Sequence, residues 1–214
     1  MAAWLQRILQ PAIEAAKLPT IPVEIRPTGR WGGWSGDLSC TPDRRICLTN
    51  QIVFWEQEKI IFYYLHEVGH RLLDGQNVAT HGPEFLCLNA VLLVRAGKFF
   101  AGDVLKKIDL YDFQDQPDEL ADTPNWRGEV LNWALQIAAD LAPTETPAEA
   151  LAAIVCARWR QHLAEAEKSR QRATRTAARR TEEIESLRSS LALITWLAGV
   201  GWGLFFLLCL FLFI

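Results

Sequence analysis

The histidines of this chain are concentrated in one short segment. Two of them are the first and last residues of the run HEVGH at residues 66–70, and a third begins the run HGPEF at residues 81–85. The whole chain has only 4 histidines. Neutral imidazole nitrogens are common ligands of zinc and similar divalent metals. This concentration of one residue type indicates a metal-binding segment.

The spacing of His66 and His70 fits one face of an α-helix. At this separation the two Cβ atoms lie about 5–6 Å apart, so both rings can reach one ion at about 2.0–2.1 Å. Glu67 is rotated by about 100° from His66, so we expect it to lean over the open side of the metal and accept a proton from water. The pattern is that of the H-E-x-x-H zinc site with a general base.

His81 and Glu84 are the two candidates for the third ligand. Pro83 suits the first position of a second helix that continues to Gly97, with Glu84 in its first turn. His81 would then lie at a junction that folds back against the first helix and brings in a third nitrogen. Either choice leaves one coordination position for water or a substrate carbonyl.

A helix from about Gln51 to Asp74 is predicted to carry His66 and His70. Thr49 or Asn50 can cap its start, and Gly75 suits the left-handed position just past its end. Apolar residues recur on one face at helical spacing, namely Ile61, Leu65, Val68 and Leu72. We therefore expect the metal-binding face to border the core.

Residues 20 to 97, which include the runs HEVGH (66–70) and HGPEF (81–85), resemble the SprT-like (Spartan-type) zinc metallopeptidases. GGWSGDLSC (32–40) and RICLT (45–49) match in type the strands that those enzymes place before the active-site helix. The resemblance implies that His66, His70 and His81 bind one zinc ion and that Glu67 is the catalytic base in peptide hydrolysis. It also implies that a strand at residues 31–40 holds an extended substrate.

HEVGHRLL is similar as well to the ImmA/IrrE-type peptidases, whose third ligand is an acidic residue on the following helix. That second resemblance favours Glu84 over His81. Both resemblances imply the same class of reaction, which is zinc-dependent hydrolysis of a peptide bond.

The charge distribution disfavours nucleic acid as a partner. Residues 1–157 hold 13 Lys and Arg against 20 Asp and Glu, a net charge of −7, which a phosphate backbone would repel. The 5 cysteines include no C-x-x-C pair of the kind found in the zinc ribbons that SprT-like proteins often append. Acidic residues between 109 and 122 predict a solvated loop. We expect protein or peptide substrates.

The segment Leu191–Ile214 contains no charged residue. As a helix it would extend about 36 Å, which is enough to cross a hydrocarbon core of about 30 Å. Three arginines precede it, at positions 179, 180 and 188. We expect a single-pass, tail-anchored protein whose catalytic domain is cytoplasmic. A G-x-x-x-G pattern at residues 199–203 predicts close approach of two such helices and hence a possible homodimer.

A helical connector is predicted before this segment. TPAE at residues 146–149 has the form of a capping box, and no proline or glycine follows until Gly199. The apolar side of its first turns, including Leu151 and Trp159, is expected to pack on the catalytic domain together with a preceding helix that contains Trp133. Residues 158–188 hold 9 basic and 5 acidic side chains, a net charge of +4. They predict a solvated stalk or weak coiled coil, with contact to anionic lipid or nucleic acid as the alternative.

The sequence as a whole predicts an α+β protein. Residues 1–145 form a mostly helical, zincin-like metallopeptidase domain with a small sheet, residues 146–190 a helical stalk, and residues 191–214 a transmembrane anchor. The predicted function is a membrane-anchored zinc metallopeptidase that cleaves proteins near the cytoplasmic face. The alternatives are a non-catalytic membrane adaptor on a zinc-binding scaffold and a DNA-associated SprT-like protease that acts on DNA–protein crosslinks.

Overall fold

The chain forms two compact units, Met1–Gln161 and His162–Ile214. The computed structural model describes residues 3–27, 45–79, 81–102, 120 and 124–212. The strand predicted at residues 31–40 and the acidic residues between 109 and 122 lie outside this range.

The described part of the chain is mostly helical with one small sheet, as predicted. In chain order the elements are α1 (Ala3–Ala16), β1 (Val23–Arg26), β2 (Ile46–Thr49), a 3-10 helix (Asn50–Phe54), α2 (Gln57–Leu73), α3 (Pro83–Arg95), a second 3-10 helix (Gly97–Phe99), α4 (Trp126–Leu141) and α5 (Ala148–Leu212).

The sheet pairs β1 with β2 in parallel, in a register that aligns Val23 with Ile46 and Arg26 with Thr49. Every residue of β2 is buried, whereas β1 becomes exposed toward Arg26. The Thr49 hydroxyl accepts a hydrogen bond from the Gln51 amide at 3.2 Å. The end of β2 therefore leads directly into the 3-10 helix that precedes α2.

The predicted start of α2 at about Gln51 is wrong by six residues, because the chain first forms the 3-10 helix and then extends at Trp55 and Glu56. The run IVFW at residues 52–55 consists of β-branched and aromatic side chains, which are poor helix formers. Ile52 is fully buried, and Trp55 packs on Tyr63 with ring centroids 5.0 Å apart. The segment before α2 is thus packed into the core through Ile52 and onto α2 through Trp55.

Helix α3 is the central element of the first unit. All its residues from Pro83 to Leu93 are buried, and it packs against both α2 and α4. Helix α1 covers α2 and α3 with an apolar face that includes Leu5, Leu9 and Ile13. The predicted stripe of α2 is largely confirmed, since Ile61, Leu65 and Val68 are buried, but Leu73 is buried in place of Leu72.

The first turns of α5 belong to the first unit. Leu151, Val155 and Trp159 are buried, and the Trp159 ring packs edge-on against Trp133 of α4 with centroids 4.8 Å apart. This packing confirms the prediction that the first turns of this helix pack on the first domain. In the second unit α5 includes a stretch that is long and apolar enough to cross a membrane, and none of that stretch is buried.

Candidate metal centre

His66 and His70 lie on adjacent turns of α2, as the four-residue spacing requires. Their Nε2 atoms are 3.1 Å apart and their ring centroids 4.8 Å apart. His66 is buried and His70 is half-buried. The two rings thus lie where the helix meets the core, as the sequence predicts.

His81 reaches the same place from the turn between α2 and α3. The chain leaves α2 through Gly75, whose φ of +79° is in the left-handed region that suits glycine. A hydrogen bond from the Gly82 amide to the Ala79 carbonyl, at 3.1 Å, then closes the turn before Pro83. This places the His81 ring 4.8 Å from the His70 ring and 5.6 Å from the His66 ring, centroid to centroid.

These three histidines could hold a metal ion, because their ligand nitrogens all lie within 4.8 Å of one another. Nitrogens bound at about 2.0–2.1 Å in a tetrahedron would be separated by about 3.3 Å. The observed 3.1 Å between the His66 and His70 nitrogens is close to that separation. In chemistry the three imidazoles therefore suit a metal ion, and one of their three nitrogen pairs has about the separation that such a site requires.

Glu84, the alternative third ligand, is not part of this group. Its carboxylate folds back along the start of α3, where Oε2 lies 3.5 Å from the position that a Cβ on Gly82 would occupy. Glu84 is also close enough to Cys87 and Cys156 to add to the effect of burial in raising the pKa of both thiols. Among the described residues, the group with metal-ligand geometry is thus the three histidines.

Phe85 forms the aromatic floor of the group. Its ring stacks on His70 with centroids 4.1 Å apart and an interplanar angle of 15°. It also packs edge-on against His66 at 4.9 Å and against His81 at 5.2 Å. One side chain of α3 therefore contacts all three imidazoles and limits how far each ring can rotate.

Gly69 permits this close packing between α2 and α3. A Cβ at this position would lie 3.1 Å from Cε2 of Phe85, which is tighter than an ordinary contact. Residue spacing does not reveal the roles of Gly69 and Phe85. The available signal was a glycine in the middle of a predicted helix, which often marks a close packing contact.

Burial determines the electrostatics of the site. Burial, with the neighbouring rings of His70 and His81, lowers the pKa of His66 to about 3. Burial and the His81 ring lower the pKa of His70 to about 4. Both imidazoles are therefore neutral at pH 7, which is the form that binds metals.

Glu67 lies beside His66 on α2 and is only 5% exposed. Burial disfavours its charged form and raises the pKa of its carboxyl group to about 8. The site thus combines the neutral imidazoles of His66 and His70, and the neighbouring His81 ring, with one adjacent carboxyl group that can gain or lose a proton near neutral pH.

Comparisons of the chain with protein-family models, with curated proteins and with solved structures found no match.

Proposed function

We propose that this chain is a zinc-dependent metallopeptidase that is anchored to a membrane by its C-terminal helix and cleaves protein or peptide substrates. The observation that carries the proposal is the convergence of His66, His70 and His81, with their ligand nitrogens within 4.8 Å of one another. The buried carboxyl group of Glu67 follows the first ligand directly in the sequence. The likeness of this arrangement to SprT-like enzymes is part of the proposal.

The composition of the group favours a catalytic over a structural ion. Structural zinc is usually enclosed by four protein ligands, often cysteines. Within the described ranges, no fourth His, Cys, Asp or Glu joins the three histidines. Three protein ligands leave a position for a reactant, which is the arrangement of catalytic zinc sites.

Each residue has a distinct task in the proposed hydrolysis. His66, His70 and His81 hold the ion, which when bound supplies a Lewis acid that polarises the substrate carbonyl and makes water more acidic. A nearby cation favours the ionised form of Glu67, whose carboxylate would accept the proton of the attacking water and then donate it to the leaving amide nitrogen. Phe85 keeps the three imidazoles in position and covers one side of them.

The C-terminal part of α5 supports membrane attachment. The stretch is long and apolar enough to span a bilayer, and three arginines precede it, at positions 179, 180 and 188. The excess of basic residues on that side places the first unit on the cytoplasmic face in this proposal. Flotation of the full chain with phospholipid vesicles, compared with a chain that ends at Ser190, tests the attachment.

The experiment that tests the activity uses the full chain in detergent micelles, with labelled casein as the probe substrate. We expect about one zinc per chain by elemental analysis. Glu67→Gln should retain the zinc and lose cleavage by about 10²–10⁴-fold, because the general base is removed. His81→Ala should lose the zinc, whereas Glu84→Gln should keep it.

Other outcomes would overturn parts of this proposal. Metal retention without any cleavage by the unaltered chain, for casein and for a peptide mixture alike, would instead support a membrane adaptor. Cleavage that requires added single-stranded DNA would support a protease for DNA–protein crosslinks. Loss of zinc in Glu84→Gln with retention in His81→Ala would replace the third ligand.

A further inference from the structure

Exposed apolar side chains recur with a seven-residue period on one face of α5 in the second unit. Ile184 and Leu187 are followed seven residues later by Leu191 and Ile194, and then by Ala198 and Gly201. The four larger side chains are each 52–70% exposed. Alternating steps of three and four residues are the spacing of a helix face that packs against another helix. We call this face, Ile184 to Gly201, the heptad stripe.

The first two members of the stripe are not explained by contact with lipid tails. Ile184 and Leu187 are the only large apolar side chains between Ala164 and Ser190, and both precede the charged Arg188. A charged arginine lies in water or among head groups rather than in the hydrocarbon. The stripe therefore begins outside the membrane core, where an uncovered isoleucine and leucine would face water.

The stripe continues into the apolar stretch as a concave surface. Ala198 and Gly201 carry little or no side chain, and a concavity of about 340 Å³ lies over them, bordered by the rings of Trp202 and Phe205. A Cβ added at Gly201 would meet nothing within 4 Å. Small residues at such a face let a second helix backbone approach closely within a bilayer.

We propose that a second copy of this chain covers the heptad stripe, forming a parallel homodimer from Ile184 to Phe205. Both copies insert in the same orientation, so their helices lie parallel. In a parallel coiled coil, each heptad has two apolar positions. The residue just before the first of them, here Ile184, lies beside the residue five places further along the chain in the partner helix. Glu183 and Arg188 are separated by five places. Each Glu183 thus faces an oppositely charged Arg188 of the other copy, twice by symmetry.

The charges also define where the contact begins. Arg180 occupies the stripe position before Ile184, so two copies would bring two arginines together there. Like charges at such a position oppose association. The dimer contact therefore starts at Ile184 and does not extend toward residue 162.

The heptad stripe differs from the face predicted by the G-x-x-x-G pattern. At about 100° per residue, Gly199 and Gly203 lie on the side of the helix opposite Ala198 and Gly201. The two faces cannot both form the contact in one symmetric pair of helices. Crosslinking positions can therefore distinguish them.

The first test is cysteine crosslinking of the full chain in phosphatidylcholine vesicles, in a Cys209→Ser background. We expect Ile184→Cys and Leu187→Cys to form disulfide-linked dimers under mild oxidation. The matched control Glu185→Cys, which lies beside Ile184 but off the stripe, should crosslink about tenfold less. Equal crosslinking at all three positions, or strongest crosslinking through Gly203→Cys, would overturn the proposal.

The second test exchanges the charges. Glu183→Arg or Arg188→Glu alone should weaken dimerisation about fivefold, because each replaces two attractions with two repulsions. A mixture of the two variants should restore it, since each arginine then faces a glutamate. If lipid head groups rather than a second copy cover Ile184, Glu183→Arg would strengthen vesicle binding and the mixture would show no rescue. Zinc content is expected to stay unchanged in every variant, so this test is independent of the proposed activity.

Discussion

At the residue scale, the imidazole group depends on a contact between two residues that are not metal ligands. Phe85 stacks on His70 at 4.1 Å between centroids, and it can do so because Gly69 presents no side chain toward it. Residues that orient metal ligands typically contribute one to two orders of magnitude to metal affinity. Gly69 and Phe85 are therefore positioning residues of the candidate centre.

Gly69→Ala should weaken metal binding while leaving the chain folded. The added methyl would lie 3.1 Å from the Phe85 ring and displace it from His70. We expect zinc affinity to fall by about tenfold, as measured by competition with a chromophoric chelator. Gly97→Ala is the matched control, since a Cβ there meets nothing within 4 Å. Equal affinities for both variants and the unaltered chain would show that the Phe85 contact does not position the ligands.

Part of the site could be predicted from residue spacing alone. His66 and His70 had to share a helix face, because four residues make about one turn. The choice between His81 and Glu84 could not be made in that way, because it depends on how the turn before Pro83 folds. The stacking of Phe85 is also invisible in spacing, since the sequence encodes neither ring orientation nor the distance between α2 and α3.

At the element scale, the ends of three helices are joined by one side chain. Arg95 lies at the end of α3, and its guanidinium donates hydrogen bonds of 3.1–3.4 Å to four backbone carbonyls. These carbonyls lie at the ends of α1 and α4 and in the turn after α4, and they belong to Ala16, Leu141, Ala142 and Thr144. Carbonyls at the C-terminus of a helix have no partner within the helix. A cation there also interacts favourably with the negative end of the helix dipole. Arg95 satisfies several of them at once.

Arg95→Met should lower the free energy of unfolding of the first unit. Loss of the charged donor leaves several part-buried carbonyls without it, and we expect a cost of about 1.5–3 kcal/mol. Chemical denaturation of the full chain in detergent, followed by tryptophan fluorescence, measures the change. Arg7→Met is the matched control. Arg7 is exposed on α1, so the change should be within about 0.5 kcal/mol. Similar losses in both variants would contradict the proposed role of Arg95.

The end or the start of a helix could be predicted wherever the chain carries a local stop or start signal. Gly75 ends α2 in the left-handed conformation, and Pro83 begins α3. The start of α2 was not predictable in the same way. Thr49 caps a helical turn as expected, but that turn is a separate 3-10 helix. The β-branched and aromatic residues at 52–55 disfavour a continuous helix, but the burial of Ile52 and the packing of Trp55 on Tyr63 in the separate turn cannot be read from spacing.

At the scale of the whole molecule, the first unit extends beyond the predicted domain end at residue 145, as far as Gln161. The capping box at residues 146–149 correctly signals that a helix begins nearby, and α5 starts at Ala148. The first compact unit nevertheless continues past this helix start. The apolar face of Leu151, Val155 and Trp159 assigns the first turns of α5 to the core.

A chain that ends at Gln161 should fold, whereas one that ends at Glu145 should not. Burial of Leu151, Val155 and Trp159 contributes about 5–9 kcal/mol, which is comparable to the whole stability of a typical domain, about 5–15 kcal/mol. The shorter chain also exposes the face of α4 that holds Trp133. We expect cooperative thermal unfolding and one bound zinc for the longer chain, and aggregation without cooperative unfolding for the shorter one, by calorimetry and light scattering. Equal melting temperatures for the two chains would show that α5 is not part of the core.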